Sequence, residues 1–209
     1  MRRSLTKPLV FAACSLPLAW LALRTFGIAG LGLGANPVSE LIHRLGSWGL
    51  RFLLLTLCVT PLSVSLRKPK LMQYRRMLGL FAFTFLVLHF LAWLVLDQWL
   101  KLSAILADIV KRPYITIGFA ALLMLVPLAV TSTRGWMRRL GRRWHELHRL
   151  IYPAAVLGCM HFWWQVKRDI REPLLYACGL AVLLAYRAVK ARRACARLSA
   201  APFAATDGA

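Results

Sequence analysis

Residues 77–96 read MLGLFAFTFLVLHFLAWLVL, twenty residues without one Lys, Arg, Asp or Glu. A helix of about 20 residues crosses a hydrocarbon core of about 30 Å. Five further runs of similar character occur at 8–26, 48–66, 114–131, 148–164 and 173–189, with Pro61 near the end of the second. Backbone N–H and C=O groups have no water partner inside lipid, so each run must be helical. The expected fold is all-α, an integral membrane bundle of six transmembrane helices. Residues 1–195 form one bundle domain, and 196–209, ending APFAATDGA, read as a disordered cytoplasmic tail. A basic start makes the first run resemble a signal peptide, but no small-x-small cleavage site closes it, and it is expected to stay as a span.

Composition agrees. Apolar residues make up 59% of the 209-residue chain and the mean hydropathy is +0.60, outside the range of a soluble domain. No stretch is left for a separate flavin or nicotinamide domain. The net charge of +21, from 28 basic and 7 acidic residues, would suggest nucleic acid in a soluble protein. Here the basic residues sit in short loops between apolar runs, so membrane topology and anionic lipid account for them and no nucleic-acid partner is implied.

Their distribution sets an orientation. Residues 1–7 hold three Lys or Arg, 67–76 hold five, 133–149 hold six and 187–197 hold five, and the intervening loops hold few. The positive-inside rule then puts both termini in the cytoplasm, with spans one, three and five running outward. The five cysteines form no C-x-x-C pair and four of them lie in apolar runs, which fits packing.

Two of the five histidines lie deep in apolar runs, His89 within VLHFLAW and His161 within CMHFWW. Ionisable groups at membrane depth are costly and by default face the bundle interior, where they do something. His89 lies about 18 Å beyond Met77 and His161 about 16 Å beyond Leu150, at 1.5 Å per residue. On two outward-running helices the imidazoles fall at one level, where they could hold the two faces of a haem iron. Bis-histidine ligation leaves no open axial position and suits electron transfer. His148 stands about 20 Å lower on the helix of His161 and marks an inner site. Counting the same interval back from His89 reaches Arg76, preceded by Arg75, so the third span offers no matching histidine. His145 shares a helical face with His148 and cannot oppose it across one iron. HELH also misses the H-E-x-x-H zinc spacing by one residue. His43 reads as a loop or capping residue. Packing histidines bonded to backbone carbonyls are the competing explanation for the intramembrane pair.

Several stretches together resemble a known family: ANPV at 35–38, TP at 60–61, RRMLGL at 75–80, LH at 88–89, RPYITIG at 112–118, TST at 131–133 with its basic continuation, RW..LH at 143–148 and MH before the tryptophans at 160–164. The chain is similar to the MsrQ (YedZ) haem-binding membrane subunits of bacterial protein-methionine-sulfoxide reductase systems, within the ferric-reductase-like transmembrane superfamily. The resemblance implies a multi-pass protein of the bacterial inner membrane that binds haem b, with flavin mononucleotide (FMN) also associated. It implies electrons drawn from the quinone pool and handed to MsrP, a periplasmic molybdenum enzyme that reduces methionine sulfoxide in oxidised proteins. The family's haem histidines fall on His89, His148 and His161. Arg75 and Arg76 could take a flavin phosphate or a haem propionate, or serve only as cytoplasmic anchors. The chain carries no hydrolytic triad, phosphate loop or molybdenum site, so the sulfoxide chemistry would belong to the partner. A stand-alone haem ferric reductase and a non-redox transporter are the alternative readings.

Overall fold

The computed structural model describes residues 6–30, 32–166 and 169–199, and all regular structure among them is helical. The helices are α1 (Thr6–Thr25), α2 (Pro37–Ser65), α3 (Met72–Ala92), α4 (Leu102–Lys111), α5 (Pro113–Val130), α6 (Arg134–Leu140), α7 (Arg142–Leu147), α8 (Ile151–Gln165) and α9 (Arg171–Ser199). Two antiparallel pairs, α2 with α3 and α5 with α8, make the most extensive contacts; α9 packs on α8 and α2, and α1 lies against α2 and α3.

Local chemistry explains most boundaries. Asn36 caps α2 by accepting a hydrogen bond from the Ser39 N–H, and Pro37 opens the helix, where a missing N–H costs nothing. The helix thus begins about three turns before its apolar run. A network outside the bundle fixes this entry: Arg24 on α1 and Arg44 each pair with Glu40, at 2.9 and 2.8 Å, and the Gly34 N–H donates to the same carboxylate.

Among the described residues, five helical stretches are long and apolar enough to cross a membrane: α1, α2, 69–97 around α3, α5, and α9 to Arg193. The fifth of the six expected runs differs. Its helix, α8, has 15 residues, which is about 22 Å, and a 3₁₀ turn at His148–Leu150 separates it from α7. Pro153 lies four residues beyond Arg149 and supplies no N–H to that carbonyl, so the regular α-helical ladder starts late.

Sequence patterning also missed α4. The third helix ends in a π-helical turn at Trp93–Asp97, and Trp99 and Leu100 adopt positive φ of 51° and 56° as the chain reverses. Leu102, Leu106 and Val110 then lie exposed along one face of α4, the pattern of a helix resting in a membrane interface. Buried Gln98 ties the turn to α4 by donating to Asp97 and Asp108. At the other terminus α9 continues to Ser199, taking in the first residues of the expected tail; 200–209 lie outside the described residues.

The core runs between the two helix pairs. Phe85 and Leu57 are fully buried, Phe85 stacks on Phe52 at 5.4 Å, and Ala82, Ala154 and Ala155 allow close helix approach. Leu9, Phe11, Leu16, Trp20, Leu123, Leu175 and Val182 point outward, which in lipid costs nothing.

Candidate functional site

His89 on α3 and His161 on α8 meet at the centre of the cavity between the two helix pairs, with ring centroids 6.0 Å apart and planes at 80°. Each ring is anchored in the same way. His89 Nδ1 lies 2.8 Å from the carbonyl oxygen of Ile42 on α2, and His161 Nδ1 lies 2.7 Å from that of Tyr114 on α5. A carbonyl can only accept, so Nδ1 carries the proton in both rings and Nε2 keeps its lone pair. Metal-ligating histidines use the same device, donating the second ring N–H to a backbone carbonyl.

Glycines make the anchoring possible. In a helix the carbonyl of residue i points at residue i+4, where a side chain would crowd an incoming ring. Gly46 follows Ile42 by four residues and Gly118 follows Tyr114 by four. A Cβ on Gly46 would stand 3.0 Å from His89 Nδ1, and one on Gly118 would stand 2.6 Å from His161 Nδ1. Both histidines lie 47 residues after the residue whose carbonyl holds them. The α2–α3 and α5–α8 hairpins are therefore two versions of one device.

The arrangement fits a haem. With imidazole–metal bonds of about 2.0–2.1 Å, rings whose centroids are 6.0 Å apart are close enough to share one metal atom. Among the described residues no third His, Cys, Asp or Glu joins them, so the remaining ligands of such a metal must come with the group that carries it, as a porphyrin's nitrogens do. Leu50, Leu53, Leu86, Phe90, Leu122, Leu125 and Phe162 line the cavity, and its mouth bears His43, Arg112 and Gln165. Apolar walls with a few polar groups at one end suit an amphipathic prosthetic group.

The other expected residues are placed differently. His148 is half-buried at the opposite end of α8, stacked on Trp144 at 3.8 Å, with Nδ1 3.0 Å from the Trp144 carbonyl. Trp144 is itself held by donating from Nε1 to the Thr131 carbonyl. No second histidine opposes His148. Arg75 is half-buried and within electrostatic reach of His148, whereas Arg76 is exposed. His145 is exposed and edge-on to Trp144, and His43 is exposed, accepting from Gln165 at 3.1 Å.

Patterning overlooked several residues that shape these sites. The anchoring carbonyls carry no side-chain signal, but the repeated 47-residue spacing with glycine four residues after each anchor does. Arg187 on α9 was counted only as tail charge. Its guanidinium donates to the Tyr152 hydroxyl and to the Leu57 carbonyl, both at 2.8 Å. That carbonyl would ordinarily receive the N–H of residue 61, which is proline.

The fold and this site define a multi-pass helical membrane protein in which two antiparallel hairpins each deliver one carbonyl-anchored histidine into a shared apolar cavity. Residues 45–159 match the model of the ferric reductase like transmembrane component. The chain is 53% identical over 202 residues to the protein-methionine-sulfoxide reductase heme-binding subunit MsrQ of Xanthomonas oryzae pv. oryzae, covering 94% of this chain and 93% of that one. It is 54% identical over 185 residues to the protein of the same name from Rhodospirillum rubrum, covering 88% of each. The chain belongs to the MsrQ group of the ferric-reductase-like transmembrane family.

Proposed function

We propose that this protein is a transmembrane electron-transfer subunit that holds haem b between His89 and His161 and serves a methionine sulfoxide reductase. The observation that carries the reading is the matched anchoring: two imidazoles, each fixed through Nδ1 to a backbone carbonyl, face each other 6.0 Å apart. When bound, the porphyrin iron supplies a one-electron couple. The protein fixes the tautomer of both rings, and His89 and His161 would hold the iron within the largely apolar cavity.

In this reading α8 and the helical turns before it complete a sixth crossing, both termini lie in the cytoplasm, and the membrane is the bacterial inner membrane. Electrons come from the quinone pool at the basic face that carries His148. They leave from the opposite face to a periplasmic partner, MsrP, which performs the sulfoxide chemistry. His148 marks an inner relay. Its neighbour Arg75 takes an acidic group of a cofactor, a haem propionate or the phosphate of FMN. Arg76, exposed, is assigned to anchoring. The curated relatives' names, which describe a haem-binding subunit of such a reductase, support the assignment.

The test is haem stoichiometry by pyridine hemochrome on the purified wild type and on His89→Ala, His161→Ala, His148→Ala and His145→Ala. The first two lose most of the haem, and His145→Ala keeps it. Full retention in both of the first two defeats the proposal. Reoxidation of the dithionite-reduced Soret band by added MsrP and methionine sulfoxide tests the partner.

A further inference from the structure

Two consecutive bulky residues hold a backbone conformation that glycine normally takes, and the side chains of both are exposed. After the π-helical turn at Trp93–Asp97, Trp99 and Leu100 have φ of 51° and 56°. The Leu100 N–H donates to the Leu94 carbonyl, which makes Trp99 the left-handed residue of a Schellman-type helix end. Glycine fits that position without steric cost, and a bulky L-residue does not. Trp99 is nevertheless 75% exposed and Leu100 63%, so packing among the described residues does little to offset the strain.

The turn is held in place from below. Buried Gln98 donates to Asp97 and to Asp108 on α4, at 2.8 and 3.1 Å, and Asp108 pairs with Arg112 at 3.2 Å. Asp97 and Arg112 line the mouth of the cavity that holds His89 and His161. One network therefore clamps the Trp99–Leu100 tip to the rim of that cavity. Lys101, just before α4, and Lys111, at its end, are exposed and make no ion pair among the described residues.

Lipid contact alone does not explain such a tip. An interfacial side chain needs only the right depth, and Leu102, Leu106 and Val110 supply that contact from regular helix. A fixed and strained presentation serves a surface that must be matched in shape, and strain upheld by its surroundings clusters at functional sites. Tryptophan is also enriched among the residues that dominate protein interfaces. We propose that Trp99 and Leu100 form the docking anchor for a periplasmic protein partner at the cavity mouth, with Lys101 and Lys111 steering its approach. The matching surface on the partner is an apolar socket rimmed by carboxylates. That role rests on the reading that electrons leave from the His89–His161 end.

MsrP is the probe, and its binding to the full-length protein in phosphatidylcholine nanodiscs is measured by biolayer interferometry, apart from electron transfer. Trp99→Gly removes the ring and relieves the strain together. It should weaken MsrP binding about tenfold, as loss of an anchoring residue does, while the thermal unfolding midpoint holds or rises. Trp99→Phe should recover part of the affinity. Lys101→Glu combined with Lys111→Glu, which leaves the turn intact, should slow association and flatten its salt dependence. A tip that serves only as a lipid anchor gives the contrary pattern, unchanged MsrP affinity in Trp99→Gly with a lowered unfolding midpoint in nanodiscs. Unchanged affinity in Trp99→Gly, or no binding of MsrP by the wild type, overturns the proposal. Reoxidation of the dithionite-reduced haem by MsrP is followed in parallel. Wild-type protein that binds MsrP through Trp99 but passes it no electrons defeats the electron-transfer reading and leaves the docking surface in place.

Discussion

Gly118 and His161 are packed so closely that a methyl group on the glycine would sit 2.6 Å from Nδ1 and 2.9 Å from Cε1 of the imidazole. No real Cβ tolerates that contact, so Gly118→Ala must push the ring off the Tyr114 carbonyl. Alanine is the better helix former by about 1 kcal/mol, so the change harms the ring position and not the helix. Gly118→Ala is expected to lose most of its bound haem while remaining folded by circular dichroism. Gly46→Ala meets His89 at 3.0 Å and should lose less. Wild-type haem content in Gly118→Ala would show that the His161 ring does not need this seat.

A related dependence joins Arg187 to Pro61. Arg187→Met strands the Leu57 carbonyl, which Pro61 has already deprived of its helical partner, and an unsatisfied buried acceptor costs about 1–3 kcal/mol. Pro61→Ala restores the missing N–H, so the double variant should recover part of the loss. Thermal unfolding of the two single variants and the double variant in one detergent measures this coupling. Strictly additive effects would mean that the carbonyl is not what Arg187 satisfies.

Much of the site was legible in the sequence, and the rest was hidden for physical reasons. His89 and His161 announced themselves because an imidazole amid Leu, Phe and Trp is costly, and equal depth on parallel helices follows from a rise of 1.5 Å per residue. Their anchors were invisible because a backbone carbonyl looks the same in every residue. The exposure of Arg76 beside the half-buried Arg75 could not be read from RR, since neighbouring helix positions point about 100° apart and only packing decides which faces inward. The apolar count saw the run of α8 but not the 3₁₀ turn at its start, because Pro153 acts on hydrogen bonding and leaves hydropathy unchanged. α4 escaped because ten amphipathic residues are too short to register as a span and too polar on one side to register as core.

Phe85 is fully buried against Phe52 at the centre of the α2–α3 contact. In water, Phe→Ala in a core costs about 3–5 kcal/mol, part of it transfer of the ring from solvent. In a bilayer the separated helices still face an apolar medium, so that part vanishes and the cavity and lost packing remain. Phe85→Ala should therefore cost nearer about 2 kcal/mol, measured by the shift of the unfolding midpoint in mixed micelles. A cost of about 5 kcal/mol would mean that water reaches the unfolded state at this depth.

Orientation can be tested from the same geometry. Lys70, in the turn between α2 and α3, and Lys101, before α4, are both exposed and lie at opposite ends of α3. The basic loops at 67–76 and 133–149 assign the Lys70 side to the cytoplasm. Cys178 and Cys195 are exposed, so all five cysteines must first be replaced. In that background Lys101→Cys should react with a membrane-impermeant maleimide in intact spheroplasts, and Lys70→Cys only after permeabilisation. The reverse pattern would invert the bundle, placing Arg75 and His148 on the periplasmic side and the mouth at Arg112 and Gln165 towards the cytoplasm. Electron entry and exit would then exchange faces, and delivery to a periplasmic partner from the His89–His161 end would be impossible.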